Sequence, residues 1–309
     1  MTKKYLILIF SFLLLGYCRP LFGQELIDSL FVGDIQNPAY TEGQGPLILL
    51  DEAHHNGVQL NTGFKAVSNT LAKDGFKLKT INNPISQGTL DKASILVIID
   101  ALAEQNVDNW ELPTPSPFTK DEMDIIKRWV QHGGSLLLVA DHMPFAGASS
   151  KLAKKFGVDF INGFAIDTLE WDLTRFNRKD NSLGEHPITR GNNIKEKINE
   201  VDTYYGQGFS TSNKNLTPLL VFQSENTISY QPKKAWRFYK DTPVIPAKGL
   251  FQGLAGDFGQ GRIVILGDSS LMSAHLIGKK AIPIGINSDE ADNLQFALNI
   301  FHWLSHALN

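Results

Sequence analysis

Four apolar runs in this chain each end in an acidic residue, and two of them continue into histidine. The first, 46–50, leads into Asp51-Glu52-Ala53-His54-His55-Asn56, and the second, 95–99, leads into Asp100. The third, 136–140, leads into Asp141-His142, and the fourth, 263–266, leads into Gly267-Asp268-Ser269-Ser270. Carboxylates and imidazoles do two kinds of chemistry. They move protons to and from a substrate or a water, and they are the oxygen and nitrogen ligands of zinc and similar divalent ions. For a metal site the candidate ligands are Asp51, His54 and His142, with His55 as a substitute. Three protein ligands and one open position suit a metal-bound water. Asp141 and Glu52 are the candidate general bases. Asp100, Asp268, Ser269, Gln207 and Asn287 are candidate substrate contacts. A metal-free acid–base site and a structural role, with strand-end Asp capping the next helix, stand beside the metal reading. The Asp51–His55 segment is not a helical H-E-x-x-H, so the zinc-protease geometry is not on offer.

Continuous apolar runs suit strands buried on both faces, as in a parallel sheet. Ligands of such sheets sit outside the carboxyl ends of the strands, where these acids and histidines fall. Strands are expected at 46–51, 76–81, 95–100 and 136–140. Phe64, Val67 and Leu71 mark a helix over 62–73. Thr119 with Glu122 three residues on marks a capping box, and that helix runs to His132, where Gly133-Gly134 stops it. The alternation predicts an α/β, flavodoxin-like, doubly wound, mainly parallel sheet in three layers. Strand ends one and four are expected to lie close together. A hairpin is expected over 249–266, a helix over 270–277 capped by Ser269 or Ser270, and a last helix over 290–308. The stretch 160–245 reads as an irregular β-rich insertion. Its Tyr204, Tyr205, Phe209 and Trp171, with Trp110 from the proline-rich loop 104–118, are candidates for an aromatic wall or for packing.

Residues 1–23 have the form of a secretory signal: Lys3 and Lys4, then the uncharged apolar run 5–15, then Gly23 before the expected cut. That run is short for a membrane span, so no stable span is expected after cleavage. Residues 24–44 are a lead-in segment, and 45–309 form one domain. An exported protein, periplasmic or extracellular, follows. Cys18 is the only cysteine, and the bulky Tyr17 before it argues against lipidation. The mature chain then has no disulfide, thiolate ligand or cysteine nucleophile. The net charge is −3, from 29 basic and 32 acidic residues, which gives no overall basic field for nucleic acid.

Gly267-Asp268-Ser269 is similar to the Gly-Asp-Ser signature of one esterase class, but here it lies late and Asp51-Glu52-Ala53-His54 lies early, the reverse of that class. A broader resemblance rests on several pieces. They are Trp129-Val130-Gln131-His132-Gly133-Gly134-Ser135, Gly259-Gln260-Gly261-Arg262, Asp51-Glu52-Ala53-His54-His55-Asn56, 112–116, Ala140-Asp141-His142-Met143-Pro144-Phe145, Asn162-Gly163-Phe164-Ala165, Gly206-Gln207-Gly208-Phe209 and 295–299. Together they resemble the class I glutamine amidotransferase-like superfamily, in a bacterial branch of unknown function near the gliding-motility/intraflagellar-transport domain and the trehalose-utilisation-like proteins. The resemblance implies a flavodoxin-like sandwich. It does not carry over amidotransferase activity, because the turn after 136–140 offers Asp141 and His142 where those enzymes place a cysteine. The expectation is a hydrolase, metal-assisted by an ion such as zinc or metal-free, acting on a small extracytoplasmic substrate such as a saccharide derivative. A non-catalytic module binding a glycan or an envelope protein is the alternative.

Overall fold

The computed structural model describes residues 25–170 and 173–309. The signal segment, Cys18 and Trp171 lie outside the described residues. In chain order the main sheet uses β1 (Leu47–Asp51), β2 (Lys77–Ile81), β3 (Ile95–Ile99), β4 (Ser135–Val139), β5 (Val158–Phe160), β6 (Phe209–Thr211), β7 (Leu216–Val221), β8 (Phe251–Phe258) and β9 (Gly261–Leu266). The lateral order is β2-β1-β3-β4-β9-β8-β6-β5, with β7 also paired to β8. The first five of that order are parallel and the rest antiparallel. The expected doubly wound α/β fold is the observed one.

The apolar runs are continuous because both faces are covered. Alternate residues of each strand go to opposite cores. Ile48, Leu50, Val97, Ile99, Leu137, Val139, Val264 and Leu266 pack with helix α1 (Lys65–Lys73) and with the C-terminal helix Asn293–Leu304. Leu49, Leu96, Ile98, Leu136, Leu138, Ile263 and Ile265 pack with α2 (Lys120–Gln131) and α3 (Phe145–Lys154). The capping box forms as its spacing demands: Thr119 Oγ1 accepts from Glu122 N, and Thr119 N donates to Glu122 Oε2.

The irregular stretch lends β6 and β7 to the main sheet and otherwise folds into a three-stranded sheet (Phe164–Asp167, Thr227–Tyr230, Val244–Pro246) and a two-stranded one (Thr174–Asn177, Glu200–Thr203). The 270–277 helix is not formed. A short 3-10 turn over Ser269–Met272 leads instead into strand Ala274–Ile277, which pairs with Glu25–Ile27 on one side and Ile282–Gly285 on the other. Two ladders outweigh the helical propensity of a short segment. Asp268, not a serine, caps the turn by accepting from Ser270 N at 2.7 Å.

At the amino end of the sheet, backbone and indole pack without side chains between them. A Cβ on Gly261 would lie 2.0 Å from the Gly134 carbonyl oxygen, and one on Gly134 would lie 2.3 Å from the Trp129 ring. Both partners are fixed, one as backbone and one as a buried indole. Gly261→Ala is therefore expected to cost about 2 kcal/mol or more by overpacking, read as a lower midpoint in urea. An unchanged midpoint would mean that this junction yields freely.

Candidate functional site

The carboxyl ends of the parallel strands hold two separate groups of ionisable residues. The first belongs to β1. Asp51 ends the strand and is fully buried. His54 Nδ1 meets its carboxylate at 2.8 and 3.0 Å, and Nε2 meets Glu122 Oε1 at 3.1 Å. Glu122 Oε1 also accepts from Ile85 N at 2.9 Å, while Oε2 holds the cap of α2. A carboxylate at each nitrogen favours the imidazolium form of the ring. Burial opposes that charge, but Asp51 and Glu122 outweigh it and raise the His54 pKa. Burial also acts against the charge on Glu122, yet the Thr119 and Ile85 donors and His54 hold its pKa down.

Topology separates this group from the fourth strand. β3 lies between β1 and β4, so the ends of β1 and β4 are about two strand spacings, roughly 10 Å, apart. Asp51 and His54 therefore do not converge with His142, and both His54 nitrogens are already engaged. Among the described residues no group of three or more His, Cys, Asp or Glu is arranged to hold a metal ion. The order reverses between β1 and β3, where ligands of such sheets usually enter. Here the chain fills that crevice itself. Asn56 Nδ2 donates to the Ile99 carbonyl at 3.0 Å, and Gly57 N to the Asp100 carbonyl at 2.8 Å. Glu52 accepts from Leu60 N at 2.7 Å, and His55 is exposed with φ 46°.

The second group lies at the adjacent ends of β3, β4 and β9. Asp100 is buried and in the left-handed region at φ 51°. Such backbone is rare outside glycine and gathers at functional sites. Asp141 N donates to Asp100 Oδ1 at 2.9 Å. Asp141 itself is half-buried and accepts from His142 N at 2.6 Å and from Ser269 Oγ at 2.8 Å. Asp268 is fully buried and accepts from Tyr204 N and Ser270 N. Burial first, and the neighbouring Asp141 second, push the Asp100 carboxyl well above its usual range. The same two causes push Asp268 up to about 8. Gln207, buried, donates from Nε2 to the Ala140 carbonyl at 2.8 Å, and its Oε1 has no partner among the described residues. Five of the expected residues, Asp100, Asp141, Asp268, Ser269 and Gln207, thus gather around one strand-end cluster.

His142 stands beside the cluster in an aromatic box. Its ring stacks on Phe164 at 4.2 Å and meets Trp236 edge-on at 4.7 Å, with Trp110 and Phe145 at 6.0 and 5.9 Å. Nδ1–H donates to the Met143 carbonyl at 2.7 Å, which leaves the Nε2 lone pair without a hydrogen bond among the described residues. Tyr205 meets Trp236 at 5.1 Å. Phe209 lies instead in the core beside Phe160. Asn287 is drawn away from this rim: its Nδ2 donates to Asp28 and to the His275 carbonyl, tying down the lead-in segment. Two residues were not singled out as site residues, Glu122 and Trp236. Glu122 gave only a capping signal. Trp236 sits in Lys233-Lys234-Ala235-Trp236-Arg237-Phe238-Tyr239-Lys240, a basic and aromatic run inside the irregular stretch.

No protein-family model and no curated protein matches the chain. Among solved structures it is similar to the mmIFT52 N-terminal domain, with a TM-score of 0.54 and 15% identity over 84% of this chain and 97% of that one. It is also similar to a ThuA-like protein from Bacteroides uniformis (TM-score 0.46, 16% identity, 88% and 95% covered). A GMP synthase-like protein from Thermoplasma acidophilum gives a TM-score of 0.46 at 10% identity, with 85% and 96% covered. The first likeness is one of fold alone. The fold is the flavodoxin-like α/β sandwich that the glutamine amidotransferase-like resemblance implies.

Proposed function

We propose that the chain is an exported hydrolase of the glutamine amidotransferase-like fold, acting on a small saccharide derivative by metal-free acid–base chemistry at Asp141. One observation carries this reading: three carboxyls meet at adjacent strand ends, two of them buried with raised pKa values, and Asp141 is the one that reaches solvent. Titratable groups whose surroundings push them apart mark acid and base roles. In this reading Asp141 takes a proton from the attacking water. The water oxygen then bonds to the electrophilic carbon, and the leaving oxygen takes a proton from the store held at Asp100. Ser269 orients the base, since its hydroxyl donates to Asp141 Oδ2. His142 Nε2 accepts from a substrate hydroxyl. The faces of Trp110, Trp236 and Tyr205 suit a sugar ring.

Asp141→Ala and His142→Ala in residues 24–309 test this against a panel of glycosides and sugar esters. The expected result is loss of Asp141→Ala turnover by 100-fold or more, the usual scale for a general base, and a raised KM for His142→Ala, both with an unchanged circular dichroism spectrum. Chelator treatment is expected to leave wild-type turnover in place. Full activity in both variants would overturn the assignment. Saccharide binding without turnover in the wild type would favour a glycan-binding module instead.

A further inference from the structure

The rim is bounded on one side by a loop unlike the rest of the chain. In a protein with more acids than bases, residues 233–240 hold four basic residues, three aromatic ones and no acid. The loop is fixed to the site. Trp236 packs on His142 and Phe164 at 4.7 Å each, and Phe238 packs on Phe164 at 5.2 Å. Ala235 N donates to the Trp110 carbonyl at 2.8 Å, and Leu112 N to the Lys233 carbonyl at 2.9 Å. Trp236 is held at φ 63°, where a bulky residue is strained. Trp236 and Phe238 thus serve as roots, while Tyr239 and the charged side chains are exposed. Lys234 is paired with Glu111 at 3.4 Å, and Asp241 flanks the run. Lys233, Arg237 and Lys240 are exposed, and none of the ion pairs among the described residues uses them.

We propose that Lys233, Arg237 and Lys240 form a subsite for an anionic group, carboxylate or sulfate, so that the substrate is an acidic saccharide rather than a neutral one. This rests on the reading of the rim as a saccharide site. Three unpaired cations within eight residues of one exposed loop, with a single acid flanking it, attract an anion that reaches the rim beside them. The site beside them accommodates an acidic ligand as well. Two of its three carboxyls are buried with raised pKa, which keeps the rim from presenting a triple negative charge. The subsite gives affinity and choice of substrate. The bond-breaking groups stay at Asp141 and His142.

Titration calorimetry at low salt with three probes tests this: hexagalacturonate, its methyl ester, and a sulfated hexasaccharide. The ester keeps the sugar backbone and loses only the charge. Wild type is expected to bind at least one anionic probe about tenfold or more tighter than the ester, the summed effect of a few exposed charges. The better of the two anionic probes tells carboxylate from sulfate. The preference is expected to vanish in the Lys233→Glu/Arg237→Glu/Lys240→Glu variant, with ester binding unchanged, and to fade in half-molar salt. Equal affinity for hexagalacturonate, sulfated probe and ester would overturn the subsite alone. A preference that survives the triple variant would do the same. No binding of any saccharide would remove the rim reading and the subsite with it. Tighter binding of a single-stranded oligonucleotide than of any sugar would assign the loop to nucleic acid.

Discussion

Replacing His54 with alanine is expected to destabilise the protein by about 3 kcal/mol, the scale for breaking a buried ion pair. The loss exceeds that of a single hydrogen bond because two carboxylates are left behind. Asp51 and Glu122 are buried, and each faces one nitrogen of the ring. Without the imidazolium they repel each other across the space it filled. The pH dependence has a definite sign. His54 has its pKa raised on folding, so the native state binds its proton more tightly than the unfolded chain. Its contribution is complete below the unfolded value near 6.5 and is lost as pH rises through the folded value. The gap between wild type and His54→Ala is therefore expected to be widest in mild acid and to narrow toward alkaline pH. Denaturant midpoints at pH 6 and pH 9 measure this. A gap that stays constant or widens with pH would mean that His54 is neutral in the native protein.

The same residue shows what a linear reading could reach. Runs of apolar residues that stop at an acid locate strand ends, because a buried strand tolerates charge only where it leaves the sheet. That placed Asp51, Asp100, Asp141 and Asp268 on one rim correctly. Which ends are neighbours depends on the crossovers, and these are not written in the runs themselves. β3 inserts between β1 and β4, so Asp141 has Asp100 and Ser269 as companions rather than Asp51 and His54. Glu122 was legible as a capping residue and as nothing more. Its second carboxylate oxygen reaches 68 positions back in the chain to His54, and local spacing carries no signal for that. Trp236 and its basic neighbours lie in the stretch where neither a period of two nor one of 3.6 persists. There the short sheets are held by pairings such as Thr227 with Asp167, 60 residues apart. The 270–277 segment was misread for a related reason, since its strand is stabilised by partners at 25–27 and 282–285.

Asp100→Asn is expected to stabilise the protein progressively as pH rises above about 4, while removing most of its catalytic turnover. Asparagine is the neutral isostere of the protonated acid. It tolerates the left-handed backbone at φ 51°, and its Oδ1 can keep the bond from Asp141 N. Burial and Asp141 raise the Asp100 pKa well above the ordinary value of 3.8. Between that ordinary value and the folded one, the native state holds a proton that the unfolded chain has released. Stability therefore falls with rising pH across this window, by up to about 1.4 kcal/mol per pH unit for one group. The variant has no such titration at position 100, so its stability curve meets that of wild type near pH 4 and lies above it at pH 7 and beyond. Parallel curves across this range would show that Asp100 ionises normally in the native state, and the store of protons beside Asp141 would then not exist. Stability gained together with activity lost is the signature of a charge kept at a cost for its chemistry. A structural acid would instead leave turnover intact in the variant.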